Sequence, residues 1–171
     1  WSNLTLQWLT PPDRAFGELQ RVLRPDGVLM FSTLGPDTLK ELRQAFAGID
    51  SFGHVNRFID MHDVGDALVH AGFSEPVMDM EYITLTYESV KAVLLDLKAI
   101  GAQQLQDGRN PGLMGKSRWS QLVAAYERLR RDGRLPATYE VVYGHAWKAQ
   151  PKPGKTLPDG RRIVEFKPRP K

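Results

Sequence analysis

The tightest constraint on the fold lies at residues 24–31, where Arg24-Pro25-Asp26-Gly27 runs directly into Val28-Leu29-Met30-Phe31. Upstream, after the break at Pro11-Pro12-Asp13, Phe16, Leu19, Val22 and Leu23 recur at helical spacing, which predicts a helix ending near Arg24. Pro-Asp-Gly is a tight-turn signal, and four consecutive apolar residues suit a strand covered on both faces rather than one that alternates between core and water. Helix, tight turn and buried strand make up half of a βαβ unit and point to an α/β fold.

The rest of the chain continues that pattern. Gly35-Pro36-Asp37 opens a second helix with Pro36 in its first turn and Leu39, Leu42 and Phe46 on one face. Asp60 is placed to cap a third, with Met61, Val64, Leu68 and Ala71 inward and Gly72 as its stop. Residues 76–87 read as a long strand. Its alternation through Met78, Met80 and Tyr82 restarts one register later at Ile83, Leu85 and Tyr87, which predicts a bulge or edge crossing near Tyr82. Val90, Val93, Leu94 and Leu97 predict a fourth helix ending at Gly101, and the polar, glycine-punctuated stretch 103–116 a loop. Ser117 reads as the cap of a fifth helix, with Trp119, Leu122, Val123, Tyr126 and Leu129 inward and Gly133 closing it. Tyr139, Val141, Tyr143, His145 and Trp147 alternate as a final strand. Helix, strand, two helices, strand, two helices and strand suit an α/β sheet whose first half is missing. Trp1-Ser2-Asn3-Leu4, without an initiator methionine and entering directly into an apolar stretch, reads as a chain begun inside a core strand, hence a fragment.

Composition narrows the function classes. The chain of 171 residues suits one domain or part of one, and with no cysteine it has neither a disulfide framework nor a thiolate metal site nor a cysteine nucleophile. A cytoplasmic setting is the expectation. No apolar run approaches the roughly 20 residues of a membrane span. The net charge of +3 is concentrated at one end: residues 151–171 carry seven basic against two acidic side chains and five of the twelve prolines, leaving a faintly acidic body. A nucleic-acid-binding surface is therefore not expected. Residues 149–171 read as a basic, proline-rich tail in which Ile163-Val164-Glu165-Phe166 could add a short edge strand.

Several motifs fail as chemistry. Gly112-Leu113-Met114-Gly115-Lys116-Ser117 resembles a phosphate-binding loop, but Asn110 stands where the first glycine is required. His54, His62, His70 and His145 form no i, i+4 pair and no ligand motif, so no metal site is expected. No Gly-x-Ser-x-Gly elbow and no Gly-x-Gly-x-x-Gly after a strand is present. Two clusters remain. Arg128, Arg130, Arg131 and Arg134 gather at one helix end, either to complement the helix dipole or to dock an acidic protein. His54-Val55-Asn56-Arg57-Phe58 is a polar pentad between helices, whose arginine, flanked by Val55 and Phe58, either captures a carboxylate among apolar groups or pairs with a structural acid.

Ser2-Asn3-Leu4-Thr5-Leu6-Gln7-Trp8, Arg21 to Gly27, Phe31-Ser32-Thr33-Leu34-Gly35-Pro36-Asp37-Thr38-Leu39, His54 to Phe58, Leu97-Lys98-Ala99-Ile100-Gly101-Ala102, Leu135-Pro136-Ala137-Thr138-Tyr139 and Tyr143-Gly144-His145-Ala146-Trp147 form an ordered set. That set resembles the BioC family, the malonyl-[acyl-carrier protein] O-methyltransferases of biotin synthesis. The resemblance implies the C-terminal half of a class I methyltransferase Rossmann-like fold spanning residues 1–148. In it, residues 28–32 are the fifth strand, 76–87 the sixth and 138–148 an antiparallel seventh, with a helical insertion over 88–134 between the last two. Trp1-Ser2-Asn3 would then belong to the fourth strand.

The resemblance further implies methyl transfer from S-adenosylmethionine to the free carboxylate of malonyl-acyl carrier protein, by a protein that is a monomer at full length. The glycine-rich loop that would hold the cofactor is absent, so this chain alone is expected to be inactive. Ser2, Asn3 and Leu4 would contribute to the cofactor site; Arg57, Asn56, Gln7 and Trp8 would bind substrate, with Arg57 orienting the carboxylate; Arg128, Arg130, Arg131 and Arg134 would dock the carrier protein. A carboxylate is already a nucleophile at neutral pH, so no general base is required. Two alternatives share the pattern. The complex I assembly factor that hydroxylates an arginine also resembles this chain, although Arg57 would repel its cationic substrate. A non-catalytic binding protein of the same fold is the other.

Overall fold

In a computed structural model, residues 1–9, 12–102 and 114–150 are described. The loop expected at 103–116 falls mostly, and the basic tail with its proposed edge strand almost wholly, outside the described residues. Strand β1 (Ser2–Asn3) leads through a 3-10 turn (Leu6–Trp8) to α1 (Pro12–Val22), β2 (Val28–Leu34), α2 (Lys40–Phe46), α3 (Met61–His70), β3 (Phe73–Tyr87), α4 (Val90–Ala99), α5 (Lys116–Glu127) and β4 (Leu135–Lys148). The sheet order is β1-β2-β4-β3, with β1 parallel to β2 and β4 antiparallel to both of its neighbours. The last strand thus inserts between the two that precede it, and its antiparallel direction is the one the resemblance implied.

Two apolar cores flank this sheet. Phe16 of α1 and Val64, Ala67 and Leu68 of α3 pack on Leu29, Phe31, Phe73 and Ala146. The second core unites Leu39, Leu42, Ala45 and Phe46 from α2 and its entry with Val90, Val93 and Leu97 of α4, Leu122 and Tyr126 of α5, and Leu135 and Ala137 of β4. Residues 51–59 run between α2 and α3 without regular structure.

The entry to α2 is bolted to β4. Gly35 N–H donates to Glu140 O at 2.9 Å, Leu39 N–H to Thr138 O at 2.6 Å and Asp37 N–H to the Glu140 carboxylate at 2.7 Å. A side chain at position 35 would collide with that same carboxylate, so glycine is required there by close approach. Thr38, fully buried, donates its hydroxyl to Glu140 O and accepts from Glu140 N–H.

Several expectations need correction. Asp60 caps α3 as predicted, its side chain accepting from His62 N–H. Pro36, however, lies in a turn ahead of α2, which begins only at Lys40 after Leu39 adopts a left-handed φ of 56°. The register shift in β3 falls between Ser74 and Val77 rather than near Tyr82. Glu75 has a φ of 51° and Pro76 has no N–H for the ladder, while Tyr82, Ile83 and Leu85 stay exposed on an edge strand where alternation has no core to report.

Gly115, not Ser117, precedes α5, which ends at Glu127. Gly133 is instead one corner of a two-residue turn in which Arg131 and Arg134 exchange both backbone hydrogen bonds at 2.8 Å, with Asp132 and Gly133 at positive φ. Finally, the first half of β2 is covered on one face only among the described residues: Leu29 and Phe31 are buried, but Val28 and Met30 are exposed and share their face with Tyr143 and Trp147, and that face becomes buried only at Ser32. No described helix is long and apolar enough to cross a membrane.

Candidate functional site

The carboxyl end of β1 and the segment after it form one edge of the site. Ser2 and Asn3 pair with Phe31 and Ser32. Leu4 N–H donates to Ser32 O and Oγ at 3.0 and 3.1 Å, and the Ser32 hydroxyl donates to Asn3 Oδ1 at 2.5 Å. These polar groups therefore clasp β1 to β2. Leu4, at a φ of 47°, turns the chain out of the sheet, and Gln7 Nε2 donates back to Leu4 O at 2.6 Å.

Two cavities open beside this turn, one against each core. The larger, of about 520 Å³, is lined by Leu6, Gln7, Leu9 and Phe16 on one side and by Val55, Asn56, Arg57, Phe58 and Ile59 on the other. The smaller, of about 340 Å³, is bordered by Leu4, Trp8, Leu39, Leu42, His54, Leu97 and Tyr139 among others. Gln7, Leu34, Val55, Asn56 and Phe58 line both, so the pentad and Gln7 form a partition between them.

All four residues expected to meet substrate border these cavities: Gln7 and Asn56 both of them, Arg57 the larger and Trp8 the smaller. Of the cofactor residues, Leu4 lines the smaller of these two cavities and Ser2 and Asn3 line neither, pairing instead in the sheet. Arg57 differs from expectation in one respect. It is exposed to solvent rather than enclosed by Val55 and Phe58. Among the described residues no hydrogen bond or ion pair holds its side chain, so no structural acid claims it.

The pentad is anchored at His54. Its ring stacks on Phe46, centroids 3.5 Å apart and planes 6° from parallel, and Nε2 lies 2.7 Å from Asp50 Oδ1. Burial pushes the Asp50 carboxyl up, but the His54 bond, the Phe52 N–H and the charges of His54 and Arg118 outweigh it and leave the group below its ordinary value. Asp50 escaped the sequence reading, since it and His54 lie in the irregular segment after α2, where no helical spacing pairs them. Glu41 and Glu140 escaped it too; Glu41 betrays itself as a charged residue next to Leu42 on the apolar stripe of α2.

The arginine cluster divides. Arg130 binds Glu127 at 2.6 Å and donates to the carbonyls of Gly133 and Glu88. Arg134 donates to Thr86 O at 2.8 Å and faces Glu88 at 3.6 Å. Both hold the α5–β4 turn to the end of β3. Arg128 and Arg131 remain exposed, with no side-chain partner among the described residues. No group of acids and histidines suited to a metal ion occurs among the described residues.

Comparison with known proteins agrees with this architecture. Residues 1–31 match the family model described as a methyltransferase domain. Two solved structures share the fold: a Bacillus halodurans protein assigned as a methyltransferase, with a TM-score of 0.51, 13% identity and coverage of 87% of this chain and 63% of that one, and the YcgJ protein of Bacillus subtilis, with 0.53, 8%, 88% and 63%. In sequence the chain is 67% identical over 98% of its length to a malonyl-[acyl-carrier protein] O-methyltransferase of Laribacter hongkongensis, of which it covers 57%. It is 64% identical over 96% of its length to that of Gallionella capsiferriformans, covering 56%, and 59% identical over 99% to that of a Methylovorus species, covering 56%. The chain thus spans little more than half the length of the curated relatives it matches, and over that span its sequence is similar to malonyl-[acyl-carrier protein] O-methyltransferases.

Proposed function

We propose that this chain forms the acceptor half of an S-adenosylmethionine-dependent O-methyltransferase, which esterifies the free carboxylate of a malonyl group carried as a thioester on acyl carrier protein, a reaction of biotin synthesis. The observation that carries the reading is the cavity wall shared by Arg57, Asn56 and Gln7, in a chain whose relatives bear that activity's name. A guanidinium with no partner of its own among the described residues is available to donate a charge-assisted hydrogen bond to a carboxylate.

S-adenosylmethionine would supply an electrophilic methyl group. The residues present offer it only part of a site: Leu4 gives an apolar contact, whereas the Asn3 carboxamide oxygen and the Leu4 N–H are already engaged by Ser32. The rest of its binding is assigned to the portion of the relatives' length that this chain does not span. This chain's own contribution is orientation and exclusion of water. Arg57 would hold one carboxylate oxygen so that the other points along the partition, and Trp8, Leu39, Leu42 and Leu97 would keep the thioester arm dry. Arg128 and Arg131 would draw in the acidic carrier protein.

Labelled methyl transfer by the full-length protein tests this. Malonyl carrier protein is expected to be methylated and acetyl carrier protein, which has no free carboxylate, to stay unlabelled. Equal labelling of the two would defeat the proposal.

A further inference from the structure

Arg57 lies in a stretch without helix or strand, and among the described residues its side chain has no tether of its own. Its reach toward a ligand must therefore be set by whatever fixes the backbone just before it. That anchor is His54, three residues upstream. The imidazole lies flat against Phe46 of α2 and, through Nε2, meets Asp50 at 2.7 Å. The lowered Asp50 carboxyl is ionised at neutral pH and can only accept, so the imidazole N–H is the donor.

Asp50 in turn accepts from Phe52 N–H at 3.1 Å and faces Arg118 of α5 at 3.9 Å. Both side chains are well covered, His54 at 16% and Asp50 at 9% exposure. A stack on α2 and a charge-assisted hydrogen bond thus converge on the His54 ring, and Asp50, its partner, also faces α5. The residues that follow it form the partition between the two cavities.

We infer that His54, held by Phe46 and Asp50, is a positioning residue that sets the placement of Arg57 toward the substrate carboxylate. The inference rests on the functional reading above. A misplacement of about 1 Å in such a contact can cost on the order of 100-fold in rate, so an anchor of this kind is felt in catalysis before it is felt in overall folding.

The test is a double-mutant cycle on the full-length protein with His54→Ala, Arg57→Ala and the pair, reading the KM for malonyl carrier protein and kcat separately, and binding of malonyl carrier protein in the presence of S-adenosylhomocysteine. Alone, His54→Ala should lower kcat/KM by about 10-fold or more, mostly through KM, and this loss should largely vanish once Arg57 is gone, because neighbours acting as a unit are not additive. His54→Gln keeps a donor for Asp50, and His54→Phe keeps the stack on Phe46; each should restore part of the loss, and both remain informative if the alanine variant fails to fold. Losses that multiply independently, or a His54→Phe/His54→Gln pair no better than alanine, would overturn the positioning role. An Arg57→Ala protein with unchanged KM and kcat would instead overturn the carboxylate site itself.

Discussion

The Glu41 carboxylate grips Thr138 with both oxygens across 97 positions of chain: Oε2 accepts the backbone N–H at 3.0 Å and Oε1 the hydroxyl at 2.5 Å. Both residues are buried. Helix α2 and strand β4 are thereby locked at the level of the smaller cavity, which Thr38, Leu39 and Tyr139 line. Glu41→Ala leaves two buried donors unmet and should cost about 2–4 kcal/mol by denaturant titration of the full-length protein, whereas Thr138→Val, which removes the hydroxyl alone, should cost about half as much. Equal, small losses would show that the grip carries little.

Gly35 makes the neighbouring contact possible. In Gly35→Ala the added methyl meets the Glu140 carboxylate, which also accepts Asp37 N–H. The expected loss is about 1–3 kcal/mol. Glu140→Ala should relieve the clash, so that the double variant is less destabilised than the sum of the two; strict additivity would mean that the glycine is not needed for space.

Acid should loosen the Arg57 loop through Asp50. The folded pKa of this group lies below its ordinary value of 3.8, because the hydrogen bonds from His54 and Phe52 prevail over burial. A depressed carboxylate contributes stability that is fully present above the unfolded value and is lost as pH falls through the lower, folded one. The stability gap between wild type and Asp50→Asn should therefore be level above about pH 5 and narrow progressively as pH falls below about 4. A gap that stays the same throughout acid titration would contradict the pairing.

Local signals proved legible and long-range ones did not. Helix α3 could be read from its apolar spacing and its Asp60 cap because both are decided within ten residues. The antiparallel direction of β4 came from the resemblance, not from periodicity, and the β1-β2-β4-β3 order from the structure alone. The bulge was misplaced because the edge half of β3 buries nothing and its alternation carries no register information; the break was instead written in Glu75-Pro76. Gly133 was misread as a helix stop because Asp-Gly also makes a tight turn. Of the candidate site, the pentad was singled out as a polar stretch whose arginine is flanked by Val55 and Phe58, whereas Gln7 came from the resemblance alone. The exposure of Arg57 and the Glu41–Thr138 grip were not legible, since each depends on partners distant in sequence.

The arginine cluster should separate by role. Arg130→Met and Arg134→Met should destabilise the fold by about 1 kcal/mol each through loss of the turn's hydrogen bonds. Reversing the charge of Arg128 and Arg131 should leave stability within about 0.5 kcal/mol but weaken carrier-protein binding several-fold, more strongly at low salt. Titrations of carrier protein at two ionic strengths check this; unchanged affinity at both would remove the patch from docking.

The central claim, that Arg57 orients the acceptor carboxylate, is tested most directly by the turnover of malonyl carrier protein by the full-length Arg57→Ala variant at saturating methyl donor. For an exposed but charged contact of about 1.4–2.7 kcal/mol, the account predicts a loss of about 10-fold to 100-fold in kcat/KM, partly recovered by Arg57→Lys, which keeps the charge but not the fork. Wild-type kcat/KM in Arg57→Ala would contradict it.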